Sequence, residues 1–399
     1  MVKKALNAAR MKERNYSRFF RELRLRHMTR AQVARAMGLT RSSTSIIAEE
    51  FISAGIILEG SNSQNEQHRS KDLFWNKDYC YVGGIRLNRD AIHVGICDLC
   101  GTLIDSTSFP VDECETGVET IIKTGKLIQQ MINKNNPSGS LLGVGVAAPG
   151  PLDAKSGIVL DPPYFDLMHN VPVTPLLRDL LKCEIILEND ANALALAEQC
   201  YGIQNRYDRF LKLIVDTGIG ASLILDGKLI VGPSGLGNGF GHASINIGGI
   251  KCPCGNEGCL EMYAAIPRIV EAARKADPTL TSWKIITDRA YTGDLTAMDV
   301  LRSEARYLAA IIVSASNVLD IQAVIIDGEY VLYRPTILFK EMEKEVNKRV
   351  TSRSARTIEI LPSQILGNAN VLSSTNLVIE RFIEQPFKYM KNELLSNVS

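Results

Sequence analysis

The apolar positions of this chain follow two different periods. From the start to Gly55 they recur at threes and fours, as in helices with one buried face. In "SRFFRELRLRH" this spacing predicts a helix with Phe19, Phe20, Leu23 and His27 on one side. Thr29 is placed to cap a second helix that turns Val33, Ala34 and Met37 inward, and Gly38 supplies a sharp turn. Thr40 then caps a third helix, with Ile46, Ile47, Phe51 and Ile52 expected on its buried face and a stop near Gly55. "IILEG" and "KDLFWN" read as short strands on either side of a polar stretch, residues 61–71.

From Tyr81 the texture changes to short apolar runs cut by Gly and Asp turns: "YVGGIRL", "AIHVGICDL", "GTLIDSTSF". A helix is predicted over 118–133, and helical segments then alternate with the strands "LLGVGVAA", "CEIILEN", "FLKLIVD", "ASLILDG" and "QAVIIDG". Such alternation means layered α/β structure, and two successive sets of it imply two lobes.

Composition adds a polarity along the chain. With 45% hydrophobic residues in 399, large cores are within reach, and the net charge is only +1. Residues 1–48 nonetheless carry twelve Lys or Arg against Glu13 and Glu22, a surplus of +10 that leaves −9 for the rest. A basic head on an acidic body suits a polyanionic partner. The start is charged where a signal peptide would be apolar, and no run reaches the ~18 apolar residues of a membrane span, so a cytoplasmic protein with no membrane partner is expected.

The Gly-containing connection between two short helices is the helix-turn-helix pattern, and the strands after it suit a wing. In that geometry Thr40, Arg41, Ser42, Ser43 and Ser45 would meet the major groove of double-stranded DNA. Arg can read guanine, and Ser can bond bases or phosphate. The alternative is a basic three-helix bundle that packs on the body or on a partner protein. Residues 61–71 serve as wing tip or linker, with His68 and Arg69 either in a minor groove or solvated.

The stretch "GHASINIGGIKCPCGNEGCLE" concentrates three cysteines and a histidine in one Gly-rich segment. In a reducing compartment Cys252, Cys254 and Cys259 read as metal ligands rather than disulfide partners, with chance burial as the alternative. "CDLC", Cys97 to Cys100, falls at a hairpin tip and reads as structural, with a redox-active or metal-binding pair as the alternative.

The stretches "VGVAAPGPLDAKSGIVLDPP", "LENDANALALAE", "DTGIGASLILDGKLIVG", "GHASINIGGIKCPCGNEGCLE" and "NVLDIQAVIIDG" resemble the ROK family of repressors, open reading frames and kinases, from the head to near the C-terminus. The resemblance implies a winged helix-turn-helix followed by a two-lobed actin-like ATPase (ribonuclease H-like) domain with a ligand cleft. The corresponding domains are 1–76, a first lobe 77–190 rejoined by a C-terminal helix 380–399, and a second lobe 191–379 that holds the metal loop. It also implies one structural Zn2+ per chain on His242, Cys252, Cys254 and Cys259. Three thiolates and an imidazole agree with that, forming a closed site with no open position for catalysis.

Family kinases need a DxGxT-type phosphate loop in the first hairpin, where Asp helps hold Mg2+. Here Arg86 falls where that Asp is expected, and Asn88, Arg89 and Asp90 replace the Gly-Gly-Thr turn, so no catalytic residue is expected. The second phosphate element survives as "DTGIG", Asp216 to Gly220, which is also an ordinary Gly-rich turn. The family base maps onto Asp190, beside Asn189, where it can accept a hydrogen bond from a sugar hydroxyl; both residues can equally cap the helix that follows. His242 and Glu261 match further sugar contacts, whereas Gly239 and Tyr164 stand where the family has Glu and Asn. The expectation is a homodimeric or tetrameric repressor of carbohydrate-use genes, released from its operator by a sugar or sugar-derived effector. A ROK sugar kinase with a degenerate ATP loop, and an interaction module with a vestigial cleft, are the alternatives.

Overall fold

The computed structural model describes residues 2–24, 26–60, 71–135, 140–232, 237, 239–333, 336–365, 367 and 369–390. The expected wing tip with His68 and Arg69, and residues 391–399, lie outside the described residues. The chain packs as two compact units: residues up to Ala193 with those from Gly367 onward, and Leu194–Leu366.

The first unit begins with helix Val2–Leu23, which buries Tyr16, Phe19, Phe20 and Leu23. His27 lies beyond the end of this helix and stacks on Phe74, outside the apolar face on which it was expected. Thr29 caps helix Arg30–Met37 through a capping box with Gln32. Gly38 closes the turn at φ 64, in the left-handed region that glycine enters without strain. Thr40 caps helix Arg41–Ser53 by accepting the Ser43 amide.

That third helix corrects the expected core. Its buried stripe is Thr44, Ile47, Ala48 and Phe51, while Ile46 is 61% exposed and Ile52 is half-buried. Positions 44, 47, 48 and 51 follow the three-four spacing of a single helix face, which position 46 does not share. Strand Asp72–Trp75 pairs antiparallel with both Ile57–Gly60 and Met28–Thr29 in a three-stranded sheet.

The rest of the first unit is built on a five-stranded sheet in the order 184–189, 141–148, 81–87, 91–97, 103–110. The last three strands form antiparallel hairpins, and the first two run parallel to Tyr81–Leu87. Helices Gly117–Asn135 and Val173–Leu181 cover one face. Helix Ala369–Glu384 lies on the other, so the returning segment begins at Ala369 rather than at 380. Its approach requires glycine below it: a Cβ on Gly145 would stand 1.8 Å from the Ser374 carbonyl oxygen. The helices of the head pack on this same element, through Phe20 against Phe382 and through Arg21 and Arg24, which pair with Glu380.

The second unit repeats the topology. Its sheet runs 228–229, 219–225, 210–215, 323–328, 359–362, two antiparallel steps followed by two parallel ones, as in the first sheet read from its 103–110 edge. Helices Ile266–Ala276, Trp283–Tyr291, Leu295–Leu319 and Thr336–Arg349 enclose its core. No helix among the described residues is long and apolar enough to cross a membrane.

Candidate functional sites

The metal loop of the second unit is folded by its own backbone. Ile245 donates to the Gly258 carbonyl, Cys252 to that of Asn256 and Leu260 to that of Ala243, which draws Cys252, Cys254 and Cys259 back toward His242. The four potential ligand atoms lie within 4.8 Å of one another, with Cys254 Sγ 3.7 Å from Cys259 Sγ and Cys252 Sγ 3.7 Å from His242 Nδ1. Ligands about 2.3 Å from a tetrahedral ion are themselves about 3.8 Å apart, so this donor set fits one shared metal. Burial and then the neighbouring thiols push the Cys259 thiol up, whereas the Asn256 amide draws Cys254 down. A cation is what allows several thiolates to sit together.

Directly after this loop, helix Glu261–Ala264 turns Glu261 back toward "DTGIG": its Oε2 accepts the Ile219 amide at 2.9 Å. Asp216, at the start of that turn, accepts the Glu329 amide at 2.6 Å. Gly239 holds an ordinary backbone conformation ahead of His242, which is exposed.

In the first unit, the hairpin that resembles a phosphate loop has a different interior. Arg86 is only 7% exposed; its Nε donates to Asn88 Oδ1 at 2.8 Å and its Nη2 lies 3.6 Å from Asp190 Oδ2. Arg89 donates to the Pro163 carbonyl at 2.8 Å. Asn189 Oδ1 accepts the Ala191 amide at 3.0 Å and the Asn192 amide at 3.3 Å and so caps helix Asp190–Ala197, while Asp190, the first residue of that helix, accepts the Ala191 amide at 2.8 Å through Oδ1. One Asp190 oxygen is left to face Arg86. Tyr164 is 85% exposed at φ 60.

On the head, Thr40, Arg41, Ser42 and Ser43 are exposed and Ser45 is half-buried at the start of their helix. Sequence reasoning missed the buried cluster of Lys212, Glu198, Asp327 and Ser363, in which Lys212 Nζ lies 2.7 Å from Glu198 and 2.8 Å from Asp327. A lysine amid the apolar run "FLKLIV" was the available signal. Cys97 is buried and Cys100 half-buried, and Asp98 accepts the Cys100 and Thr102 amides in an ordinary turn between them.

Residues 82–381, which hold all of the metal-loop donors as well as Arg86 and Asp190, match the ROK family. The chain belongs to the ROK family. Among ROK relatives, the xylose repressor of Bacillus subtilis is 26% identical over 358 residues, covering 90% of this chain and 92% of its own. The glucokinase of Thermotoga maritima is 28% identical over 312 residues, covering 97% of its own length but 75% of this chain. A solved ROK family transcriptional regulator, a homologue of the Escherichia coli Mlc protein, shares the fold over 95% of this chain and 98% of its own, with a TM-score of 0.80 at 21% identity. The kinase thus takes in a smaller share of this chain than either regulator does.

Proposed function

We infer that this ROK chain is a transcriptional repressor of sugar metabolism. The observation that carries the reading is coverage: the alignment with the xylose repressor takes in 90% of the chain, whereas the kinase relative is exhausted at 75%. The buried Arg86 supports it, because a guanidinium occupies the hairpin position where an ATP-using relative needs an acidic ligand for Mg2+.

On this reading residues 1–76 form a cytoplasmic winged helix-turn-helix whose helix Arg41–Ser53 enters the major groove, with Thr40, Arg41, Ser42, Ser43 and Ser45 toward the operator. The first lobe runs from residue 77 to Ala193 and is rejoined by the segment from Gly367 onward, and Leu194–Leu366 form the second, which moves the expected boundaries at 190 and 379. One structural Zn2+ per chain is held by His242, Cys252, Cys254 and Cys259, a closed set that orders the loop between His242 and Glu261. Asn189 and Asp190, at the start of helix Asp190–Ala197, are proposed contacts of a sugar-type effector. Two half-sites about one helical turn apart call for an even-numbered homo-oligomer, a dimer or a tetramer.

Helix Ala369–Glu384 supports control of the head by an effector. Near its start, Asn370 Nδ2 lies 3.3 Å from Nε2 of His93, the residue opposite Arg86 in the antiparallel strand pair. About 15 Å farther along, given 1.5 Å per residue, Glu380 holds Arg21 and Arg24 of the head. A shift at the hairpin is therefore passed to the head by one rigid element.

The test is selection of DNA sites from a random pool by the full-length protein, followed by binding at several salt concentrations with and without a sugar panel. Recovery of a palindromic motif, affinity that falls steeply with salt, and release by one sugar are expected. Absence of any enriched motif would overturn the reading.

A further inference from the structure

Helix Arg41–Ser53 turns one large apolar side chain to solvent. At 3.6 residues per turn its buried positions 44, 47, 48 and 51 share one arc, and Ile46 points ~150° away from the middle of that arc. Ile46 is 61% exposed, one turn after Ser42 and three residues before Glu49, which are exposed as well. Packing does not account for it, since it fills no core. Helix propensity does not either, because a β-branched residue is a poorer helix former than alanine or leucine.

The same face is prepared for a polyanion. Glu49 and Glu50 are the only acids of the helix, and each is met by a base from another helix. Arg30 Nη1 lies 2.7 Å from Glu49 Oε1, and Lys12 Nζ lies 3.2 Å from Glu50 Oε2. With both carboxylates neutralised, the outward surface offers Arg41, the hydroxyls of Ser42, Ser43 and Ser45, and the branched side chain of Ile46.

The edges of base pairs in the major groove carry donors, acceptors and one apolar feature, the C5-methyl group of thymine. Arginine and serine answer the donors and acceptors. An isoleucine can answer only the methyl, by excluding water from both surfaces. Over a G·C pair the same side chain would desolvate the cytosine amino group or the guanine oxygen without bonding it, which is costly. Ile46 is therefore selective by attraction to one base and by penalty against its competitors.

We propose that Ile46 reads the methyl group of one thymine in each operator half-site and is a specificity-determining residue of this chain. The inference rests on the helix-turn-helix reading above and specifies one base pair of the site.

The test starts from the motif that full-length protein selects from random DNA. Each thymine of a half-site is replaced in turn by deoxyuridine, which keeps the base pair and removes only the methyl, and affinity is measured for wild type, Ile46→Ala and Ile46→Val. Wild type is expected to lose about fourfold at one thymine, the worth of burying a single methyl group. Ile46→Ala is expected to bind the thymine and uracil sites equally, and Ile46→Val to keep part of the difference. Unchanged melting temperatures of both variants, as expected at an exposed position, place the effect at the DNA contact. The same loss in wild type and Ile46→Ala, or no thymine whose methyl matters, overturns the proposal and leaves the repressor reading standing. If no motif is enriched, both fall.

Discussion

Arg86 Nη2 stands 3.6 Å from Asp190 Oδ2, so a buried guanidinium faces the carboxylate that opens helix Asp190–Ala197. Neither residue changes the fold: Arg86 sits in regular register opposite His93, and Asp190 is the first residue of a helix capped by Asn189. Together they place opposite charges beside the first hairpin.

The first prediction is that the protein, mixed with ATP·Mg2+ and each sugar of a hexose and pentose panel, releases no ADP above background in a coupled assay. Arg86→Asp alone is expected to leave this unchanged, because Asn88, Arg89 and Asp90 still fill the turn and Arg89 remains tied to Pro163. Sugar-dependent ADP release by wild type would return the chain to the kinases.

The metal loop offers an independent check. Elemental analysis of the purified protein should find close to one zinc per chain, and a strong chelator should lower the melting temperature while exposing the thiols of Cys252, Cys254 and Cys259 to titration. Cys259→Ser, at a fully buried position, should reduce zinc content and melting temperature together. Zinc should also be lost as the solution is acidified, since protons compete for the same thiolates and imidazole. A wild-type protein with no metal and an unchanged melting temperature would remove the site.

The clasp between head and body should be acid-labile. Burial raises the Glu380 carboxyl, but Arg24 and then Arg21 outweigh it and hold the group below its ordinary 4.5. A group whose folded value is depressed contributes stability above its unfolded value and loses it as pH falls, so melting temperature should drop below about pH 4.5. Glu380→Gln should flatten that limb and, by leaving Arg24 buried without its anion, cost on the order of 3–5 kcal/mol near neutrality. Denaturant melts across the acid range decide it, and equal slopes for the two proteins would contradict the pairing.

Two neighbouring isoleucines separate packing from surface. Ile47, at 6% exposure, should cost about 2–4 kcal/mol when changed to Ala. Ile46, at 61%, should cost no more than about 0.5 kcal/mol. Ile46→Ala is instead expected to alter DNA-site selection, because its side chain lies on the exposed side of the helix proposed to enter the groove. Equal destabilisation by both changes would refute the face assignment.

Most local structure was legible because local rules decide it. Both threonine caps, the left-handed Gly38 turn and every quoted apolar strand depend on residues a few positions apart, and the structure has them where the pattern put them. The misassigned core of helix Arg41–Ser53 has a plain cause: adjacent isoleucines look equally apolar, and only a partner surface chooses which faces inward. His27 was misplaced because the helix stops at Leu23, before its periodicity can apply.

The charge of the head shows the boundary between the two levels. Composition counted a surplus of +10, yet Arg21 and Arg24 are spent on Glu380, Lys12 on Glu50, and Arg30 on Glu49 and Glu59. By itself the sequence determined which segments are helix or strand, which cysteines cluster within one short loop, and that an arginine stands in the first hairpin. Only the tertiary structure decided that this arginine is buried beside Asp190, that four donors converge within 4.8 Å, and that residues 24 and 380 clasp head to body. The reason is physical: caps and periods act within a turn or two of chain, whereas burial and ion pairing depend on surfaces hundreds of residues apart, which no local pattern encodes.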